Sequence, residues 1–220
     1  MSPTPYRHIC EGEGGVLHFR DETVVDSLDG YMSPEIHDHV GTYGCITCVG
    51  IYFEIDKKKC FAAHINSWIK RDREDQGLRA LTPAEGERLK NEVLKRFREC
   101  AEEHKWDPTD KQTHANIVAT LLLVCPRYNI TAYNPIKREA REQAAHYVVK
   151  AIREFLRVTE AQSLVDTASQ GFVVRHPRGK REKFAWEDAA WDGMPPLGIV
   201  DYVRKTDPIN DGKWYLVGTP

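Results

Sequence analysis

Residues 45–65 read CITCVGIYFEIDKKKCFAAHI, and this stretch decides the fold of the chain. Its two ends are rich in β-branched, aromatic and small side chains, a composition typical of buried strands. The charged segment at residues 54–59 separates the two apolar runs and is expected to form a turn. The stretch therefore predicts a β-hairpin that lies inside the protein.

A helix is predicted downstream of this hairpin. Thr82 precedes Pro83, and Glu85 follows, an arrangement typical of a capped helix start. Apolar residues then recur on one face as far as about residue 104, as in an amphipathic helix. A second helix is predicted to begin at Asn134-Pro135 and to end near Leu156.

The remaining apolar segments predict strands. Residues 116–125 are almost continuously apolar, which favours a central strand. Shorter strands are predicted at residues 16–19, 23–25, 171–174 and 213–217. We therefore expect a single-domain α/β sandwich with a mixed, largely antiparallel sheet flanked by two main helices. One catalytic domain is expected to span residues 1–220.

The composition excludes several classes of protein. Of the 220 residues, 41% are hydrophobic and 29% charged, which excludes a disordered or fibrous chain. The longest apolar run, residues 117–125, is much shorter than the roughly 20 residues of a membrane helix. Because residues 1–8 lack the apolar region of a secretory signal, we expect a cytoplasmic protein with reduced cysteines.

The predicted hairpin carries residues suited to thiol chemistry. Cys48 opens its first strand and His64 lies on its second. A cysteine nucleophile needs a neighbouring base, because a free thiol is only slightly ionised at neutral pH. We therefore predict Cys48 as nucleophile, His64 as base and Thr42 as the group that orients the imidazole. Cys45 is the alternative nucleophile.

Around these residues the chain resembles the cysteine-dependent glutamine deamidases, which include bacterial chemoreceptor deamidases and the catalytic domain of cytotoxic necrotizing factor toxins. That family has a Thr six residues before a Cys-Val pair, and a His about sixteen residues later. Thr42, Cys48-Val49 and Ala62-Ala63-His64 match this pattern. Ile46-Thr47 and Asn66-Ser67 depart from the Gly-Ser and Leu-Pro of the chemoreceptor enzymes. The resemblance implies a thiol active site.

Other roles for these residues stay open. Cys45-x-x-Cys48 has the spacing of a zinc or redox motif, and His37 and His39 are possible further ligands. Because Cys48 enters an apolar strand, we prefer catalysis and expect no metal and no cofactor. Three further residues are alternatives to Thr42 as the third catalytic group: Asp56, Asn66 and Asn116.

Three clusters of basic residues favour a nucleic-acid partner, although the net charge is −2. One is a basic, aromatic loop near residues 175–186, the second lies on the predicted helix after residue 134, and the third is Lys57-Lys58-Lys59. Basic residues beside aromatic rings suit phosphate contacts and base stacking. The candidate contacts are Lys137, Arg141, Arg175, Arg178, Lys180 and Arg181.

A thiol site beside basic clusters suits an aminoacyl-tRNA, which is an activated ester on a polyanion. In size and in its Gly-Thr-x-Gly-Cys-x-x-Cys segment, residues 41–48, the chain resembles the fungal arginine-containing cyclodipeptide synthases. That resemblance implies arginyl-tRNA as donor and a diketopiperazine as product. An arginine side chain would need carboxylates, for which Glu35, Asp38 and Glu54 are candidates.

Two further hypotheses remain at this point. With the same Cys48 and His64, water in place of an amine would make the protein a glutamine deamidase. Alternatively the chain is an RNA- or protein-binding module with a buried cysteine and histidine. The sequence does not decide between them, and it does not indicate an oligomeric state.

Overall fold

The computed structural model describes residues 4–9, 11–18, 39–45, 47–66, 80–126, 128, 132–134, 139–175, 181–185 and 199–201. Within these residues there are three helices: α1 (Pro83–Glu103), α2 (Lys111–Thr120) and α3 (Ala144–Leu156). The same residues form thirteen strands: β1 (Thr4–His8), β2 (Gly14–His18), β3 (His39–Thr42), β4 (Val49–Glu54), β5 (Lys59–Ile65), β6 (Ala80–Leu81), β7 (Leu122–Val124), β8 (Ala132–Asn134), β9 (Glu139–Gln143), β10 (Val165–Asp166), β11 (Ser169–Arg175), β12 (Arg181–Ala185) and β13 (Ile199–Asp201).

The described strands form two sheets of five strands and one of three. The inner sheet has the order β10-β7-β4-β5-β2, the outer sheet β12-β11-β3-β1-β13, and the small sheet β6-β9-β8. Strand β1 pairs in parallel with β3 and β13, and β10 with β7, whereas the other pairs are antiparallel. The predicted α/β class with mixed, largely antiparallel pairing is confirmed, although the strands are divided among several sheets.

The predicted hairpin is confirmed as β4 and β5, which pair antiparallel. Side chains alternate between the faces of a sheet, so the two strands contribute to two apolar layers. Ile51, Phe53 and Phe61 pack in the layer that includes α1 and α3. Tyr52 packs in the other layer with Phe172 of the outer sheet, their ring centroids 6.4 Å apart. The inner sheet therefore lies between the helices and the outer sheet.

Helix α1 begins where the sequence predicts. The Thr82 hydroxyl accepts from the Glu85 amide at 3.3 Å, and the Glu85 carboxylate accepts from the Thr82 amide at 2.8 Å. This reciprocal pair satisfies two of the amides that a helix start leaves without an intrahelical partner. The helix runs from Pro83 to Glu103 and buries Leu89, Phe97 and other apolar side chains. The predicted first helix is confirmed.

The prediction of one central strand over residues 116–125 is wrong in its first half. Residues 111–120 form α2, and only Leu122–Val124 form a strand, β7. The helix is capped by Asp110, whose carboxylate accepts from the amides of Gln112 and Thr113 at 3.1 and 2.9 Å. The cap, which stands before the apolar run, makes the first residues of that run helical.

The prediction of a helix starting at Asn134-Pro135 is also wrong. Residues 139–143 form strand β9, which pairs with β6 and β8, and α3 begins only at Ala144. Strand pairing with distant residues overrides the helical preference of this charged segment, since propensity is a weak signal beside tertiary contacts. From Ala144 onward the predicted inward face is observed, with Tyr147, Val148 and Ile152 buried.

The shorter predicted strands have mixed outcomes. Strands are present at Gly14–His18 and Ser169–Arg175, close to the predicted positions. The basic, aromatic segment 175–186 is not a continuous loop, because residues 181–185 form β12, paired antiparallel with β11. The strands predicted at residues 23–25 and 213–217 lie outside the described residues.

Candidate active site

Cys48 and His64 lie at the same end of the β4–β5 hairpin. Gly50 pairs with His64, and Val49 pairs with Ile65. Continuing this register by one residue sets Cys48 opposite Asn66, so that Cys48 is a diagonal neighbour of His64. Side chains in this relation have Cα atoms about 7–8 Å apart and are within reach of one another when they are long. The sequence spacing therefore corresponds to proximity in the sheet.

Thr42 contacts His64 across the space between the two five-stranded sheets. Thr42 ends β3 in the outer sheet, and its Oγ1 lies 2.9 Å from Nδ1 of His64 on β5. Both side chains are buried, His64 with 3% of its surface exposed. A hydrogen bond buried this deeply holds the imidazole in one orientation, since an unpaired polar group there is costly.

The second contact of Thr42 determines which nitrogen of His64 carries the proton. Thr42 Oγ1 donates to the carbonyl oxygen of Ile9 at 2.7 Å. A hydroxyl has one proton, and a carbonyl oxygen only accepts, so the same Oγ1 must accept from His64. In the neutral ring the proton is therefore on Nδ1, and Nε2 is the basic nitrogen.

Gly50 provides the space in which these side chains meet. A methyl group added at Gly50 would lie 2.9 Å from Cys45 Sγ, 3.2 Å from the Phe172 ring and 3.4 Å from the Thr42 methyl group. The first of these distances is shorter than side chains tolerate, so a larger residue would displace Cys45. The glycine opposite His64 therefore permits the close approach of the outer sheet.

The Cys48 thiol contacts two polar side chains. Its Sγ lies 3.5 Å from Oε1 of Glu11 and 3.9 Å from Oδ1 of Asn66. Cys48 is 4% exposed, while Glu11 is exposed to solvent. The thiol thus lies beneath a surface carboxylate, at the edge of the apolar layer between the sheets. The buried thiol therefore has a polar neighbour that is itself exposed to solvent.

Cys45 has a different environment. It is fully buried, and its backbone amide donates to the carbonyl of Gln170 at 2.8 Å. Burial raises the pKa of the Cys45 thiol well above its usual range, and the nearby Cys48 and Cys125 thiols raise it further, against a lowering by the Thr42 hydroxyl. A thiol that stays protonated is a poor nucleophile, so this raised pKa counts against Cys45 as a candidate.

Of the alternative third groups, only Asn66 lies near Cys48. Asn116 donates from Nδ2 to the carbonyl of Ile55 at 3.0 Å, and Asp56 pairs with Lys59 at 3.3 Å. Both contacts are at the turn of the hairpin, the end opposite Cys48. The structure therefore does not bring Asn116 or Asp56 to the candidate site.

Of the three residues predicted to bind an arginine side chain, Glu54 alone is among the described residues. Glu54 is buried, but it is the last residue of β4, at the opposite end of that strand from Cys48. It lies four positions after Gly50, about 13 Å along an extended strand. Glu35 and Asp38 lie outside the described residues.

The predicted nucleic-acid contacts are dispersed over several elements. Arg141 lies on strand β9 instead of a helix, Arg175 ends β11 and Arg181 begins β12. Val174 pairs with Arg181, so the last two positions are near each other in the outer sheet. The three other candidates lie outside the described residues: Lys137, Arg178 and Lys180.

Several basic residues of the clusters bind groups of the protein itself. Arg153 of α3 donates to Glu160 at 2.8 Å and to Ser163 at 2.9 Å, which ties the end of the helix to the following loop. Lys150 lies over the Tyr147 ring, 4.8 Å from its centroid. The lysines at residues 57–59 are at the hairpin turn, opposite the candidate site. Arg153 and Lys150 thus already contact groups of the protein, which leaves fewer basic side chains for a polyanion to contact.

Sequence reasoning missed the segment at residues 9–13. Besides the contacts of Ile9 and Glu11, the Gly12 amide donates to the His64 carbonyl, and the His64 amide donates to the Glu13 carbonyl, both at 2.9 Å. The local signal is the run of glycines that follows. A methyl group at Gly14 would lie 2.2 Å from the Ala63 Cβ, because Gly14 pairs directly with Ala63 of β5 in the inner sheet.

Over the described ranges, no three His, Cys, Asp or Glu side chains come together in a group that could hold a metal ion, and His37 is not among the described residues. Five described cysteines are free thiols: Cys45, Cys48, Cys60, Cys100 and Cys125. None of the described helices has both the length and the apolar character required to span a membrane.

Comparison with known proteins identifies no relative of this chain: no family model, no curated protein and no solved structure matches it.

Proposed function

We propose that this protein is a cysteine-dependent acyl-transfer enzyme in which Cys48 is the nucleophile and His64 the base. The observation that carries the proposal is the contact of Thr42 with His64 at 2.9 Å, together with donation of the Thr42 proton to Ile9. These two bonds leave Nε2 as the basic nitrogen of His64, the state that a general base requires. The raised pKa of the Cys45 thiol counts against Cys45 as the nucleophile.

The first half of the reaction forms a thioester. His64 Nε2 takes the proton of the Cys48 thiol as the sulfur attacks the carbonyl carbon of an ester. The ester C–O bond breaks, and the leaving hydroxyl takes the proton from His64. The acyl group then remains on Cys48, and the pair of electrons from the broken bond leaves with the oxygen.

The acyl donor in our proposal is an aminoacyl-tRNA, specifically arginyl-tRNA, and the product is a cyclic dipeptide. The α-amine of a second aminoacyl-tRNA attacks the thioester, the C–S bond breaks and the thiol is restored. The amine of the first residue then attacks the remaining ester and releases the second tRNA as the ring closes. Residues 41–48, which resemble the arginine-containing cyclodipeptide synthases, support this donor.

Six basic residues make up the proposed tRNA contacts. Arg175 and Arg181 lie on paired strands of the outer sheet, and Arg141 lies on β9. Lys137, Arg178 and Lys180 complete the proposed set. A polyanion bound by these residues would make activity decrease steeply with salt, because phosphate contacts release counterions.

A second candidate function is deamidation of protein glutamine. The observation in its favour is that Thr42 and His64, which contact each other, belong to the Thr-Cys-His pattern that resembles the glutamine deamidases. In this reaction the amide C–N bond breaks, ammonia leaves with the proton from His64, and water hydrolyses the thioester. The two candidates share the nucleophile and base, and they differ in the leaving group and in what resolves the thioester.

The experiment is mass spectrometry of extracts from bacteria that express the wild type, Cys48→Ala or Cys45→Ala. The host supplies every aminoacyl-tRNA, so no substrate has to be chosen. We expect an arginine-containing cyclic dipeptide with the wild type and Cys45→Ala, and none with Cys48→Ala. Thermal unfolding of the purified variants checks that each is folded.

Other outcomes would contradict parts of the proposal. A product that persists in Cys48→Ala would overturn the nucleophile assignment and favour Cys45. If folded wild type forms no cyclic dipeptide but releases ammonia from glutamine proteins, the deamidase function replaces the first candidate. Absence of both activities would favour a binding module in which Cys48 and His64 are structural.

A further inference from the structure

Glu11 lies next to the proposed nucleophile. Its Oε1 is 3.5 Å from Cys48 Sγ, although the two residues are far apart in sequence. The following residues hold this position, because Gly12 and Glu13 form backbone hydrogen bonds with His64 at 2.9 Å. On the other side, the Ile9 carbonyl accepts from Thr42 at 2.7 Å. Ile9 is thus bonded to Thr42, and Gly12 and Glu13 to His64, on either side of Glu11 in the sequence.

We propose that Glu11 is a specificity-determining residue that selects acyl donors with a positive charge next to the carbonyl, which in an aminoacyl ester is the α-ammonium group. This inference rests on the proposed function, since it assumes that Cys48 attacks an acyl carbon. It goes further by naming the chemical class of donor and the residue that recognises it.

The covalent structure of the donor makes the contact geometrically reasonable. In an aminoacyl ester the ammonium nitrogen is two bonds from the carbonyl carbon, so it stays close to the sulfur that attacks. A carboxylate within 3.5 Å of that sulfur is therefore within reach of the ammonium group. Charge-assisted hydrogen bonds of this type are stronger than neutral ones, and they fix orientation as well as affinity.

The charge of Glu11 also explains selection against uncharged donors. A carboxylate beside a sulfur that becomes negative opposes the charge that develops during attack. An ammonium group bound between them offsets that repulsion, so the preferred donor assists its own reaction. The carbonyl of a glutamine side chain is flanked by methylene groups, which provide no such charge. Glu11 thus favours the aminoacyl donor over the glutamine amide.

The first test measures the charge preference of Cys48 without any assumption about the substrate. Cys48 is labelled with the cationic trimethylammonioethyl methanethiosulfonate or the anionic sulfonatoethyl reagent, and the labelled peptide is quantified by mass spectrometry. We expect Glu11→Gln to decrease the ratio of the cationic to the anionic rate by about fivefold or more, the effect of about 1 kcal/mol of charge interaction. Glu13→Gln, which removes the same charge two residues away, should leave the ratio near the wild-type value.

Each outcome of this test has a separate meaning. An unchanged ratio in Glu11→Gln overturns the role of Glu11 and leaves the proposed function standing. An equal decrease of the ratio in Glu13→Gln also overturns the role of Glu11, because the preference for the cationic reagent would then come from the net negative charge near the site. If Cys48 reacts with neither reagent in the folded wild type, both this inference and the proposed function are overturned.

A second test uses the donor itself. Purified protein is mixed with arginyl-tRNA or with N-acetylarginyl-tRNA, in which the positive charge on the α-nitrogen is removed, and the thioester on Cys48 is measured by intact mass. We expect wild type to form the thioester faster from arginyl-tRNA, and Glu11→Gln to lose most of this discrimination. Equal rates from both donors in wild type would overturn the role of Glu11, whereas a thioester in Cys48→Ala would overturn the proposed function.

Discussion

The two ends of the β4–β5 hairpin differ in how they use buried polar groups. At the turn, Thr120 and Asn116 bond to backbone groups: Oγ1 of Thr120 accepts from the Glu54 amide at 2.8 Å, and Nδ2 of Asn116 donates to the Ile55 carbonyl at 3.0 Å. At the other end, side chains contact side chains, with Thr42 on His64 and Cys48 beside Glu11.

This difference separates structural from chemical roles. A side chain that bonds to backbone groups at a turn provides hydrogen-bond partners for buried polar atoms. Every folded protein requires such partners, so these contacts indicate a structural role. At the other end, Thr42 also bonds to one backbone group, the Ile9 carbonyl, but the hydroxyl, imidazole, thiol and carboxylate there contact one another in pairs from distant segments. The end at Cys48 is therefore the better candidate for catalysis.

The largest effect is expected at Thr42. Thr42→Val keeps the shape but removes the hydroxyl that holds Nδ1 of His64. Loss of a buried hydrogen-bond partner costs about 1–3 kcal/mol. Because this bond orients the base in our proposal, the same loss in the transition state should decrease the rate of product formation by roughly 5- to 150-fold. Activity is measured as the rate of thioester or product formation across a pH series.

Thr42→Ser is the matched control, since it retains the hydroxyl and removes only a methyl group. It should keep most of the activity and the wild-type pH profile. If Thr42→Val and Thr42→Ser lose activity equally, packing of the methyl group explains the effect, and Thr42 does not orient His64.

An effect on stability alone is expected at the turn. Thr120→Val removes the acceptor of the Glu54 amide at the hairpin end opposite Cys48. The free energy of unfolding should decrease by about 1–3 kcal/mol, the cost of an unsatisfied buried group. Urea denaturation measures it, with Thr120→Ser as the variant that keeps the hydroxyl. Loss of activity in a folded Thr120→Val protein would remove the distinction between the two ends.

The smallest effect is expected at Cys45. Its raised pKa means that the folded state prefers the thiol, whereas the unfolded chain ionises near the ordinary value of 9.0. The resulting contribution to stability is complete below that value and is lost as the pH rises through the folded-state value. Between about pH 7 and about pH 10, the free energy of unfolding of wild type should fall relative to Cys45→Ala by about 1 kcal/mol.

Urea denaturation at the two pH values measures this difference. Iodoacetamide labelling gives an independent check, since Cys45 should stay unlabelled in the folded protein and react after unfolding. Rapid labelling of Cys45 in the folded state would show that it is accessible and ionised, and would restore it as a candidate nucleophile.

Local signals predicted the elements whose determinants lie within a few residues. The capping pair of Thr82 and Glu85 predicts the start of α1 because both hydrogen bonds form within one turn. The same kind of signal was present before α2 at Asp110, but the apolar run that follows favoured a strand. Where two local signals compete, the continuous apolar run is the weaker guide, because helices and strands can both be buried.

Non-local pairing explains the elements that were predicted wrongly. The charged segment at residues 139–143 has the composition of a helix, but it pairs with residues 80–81 and 132–134 as a strand. Its partner in β6 is distant in sequence, so no short window of residues contains this information. Tertiary contacts of this kind routinely override local propensity.

The sequence by itself determined the hairpin, the start of α1 and the spacing of Thr42, Cys48 and His64, because periodicity and capping act over a few residues. Only the tertiary structure decided that Thr42 bonds to Ile9, that Glu11 lies beside Cys48 and that Glu54 lies at the far end of β4. Thr42 and Ile9 are 33 positions apart in the sequence, and Glu11 and Cys48 are 37 positions apart. Closing loops of that length depends on the packing of the two sheets as a whole, which a local pattern does not encode.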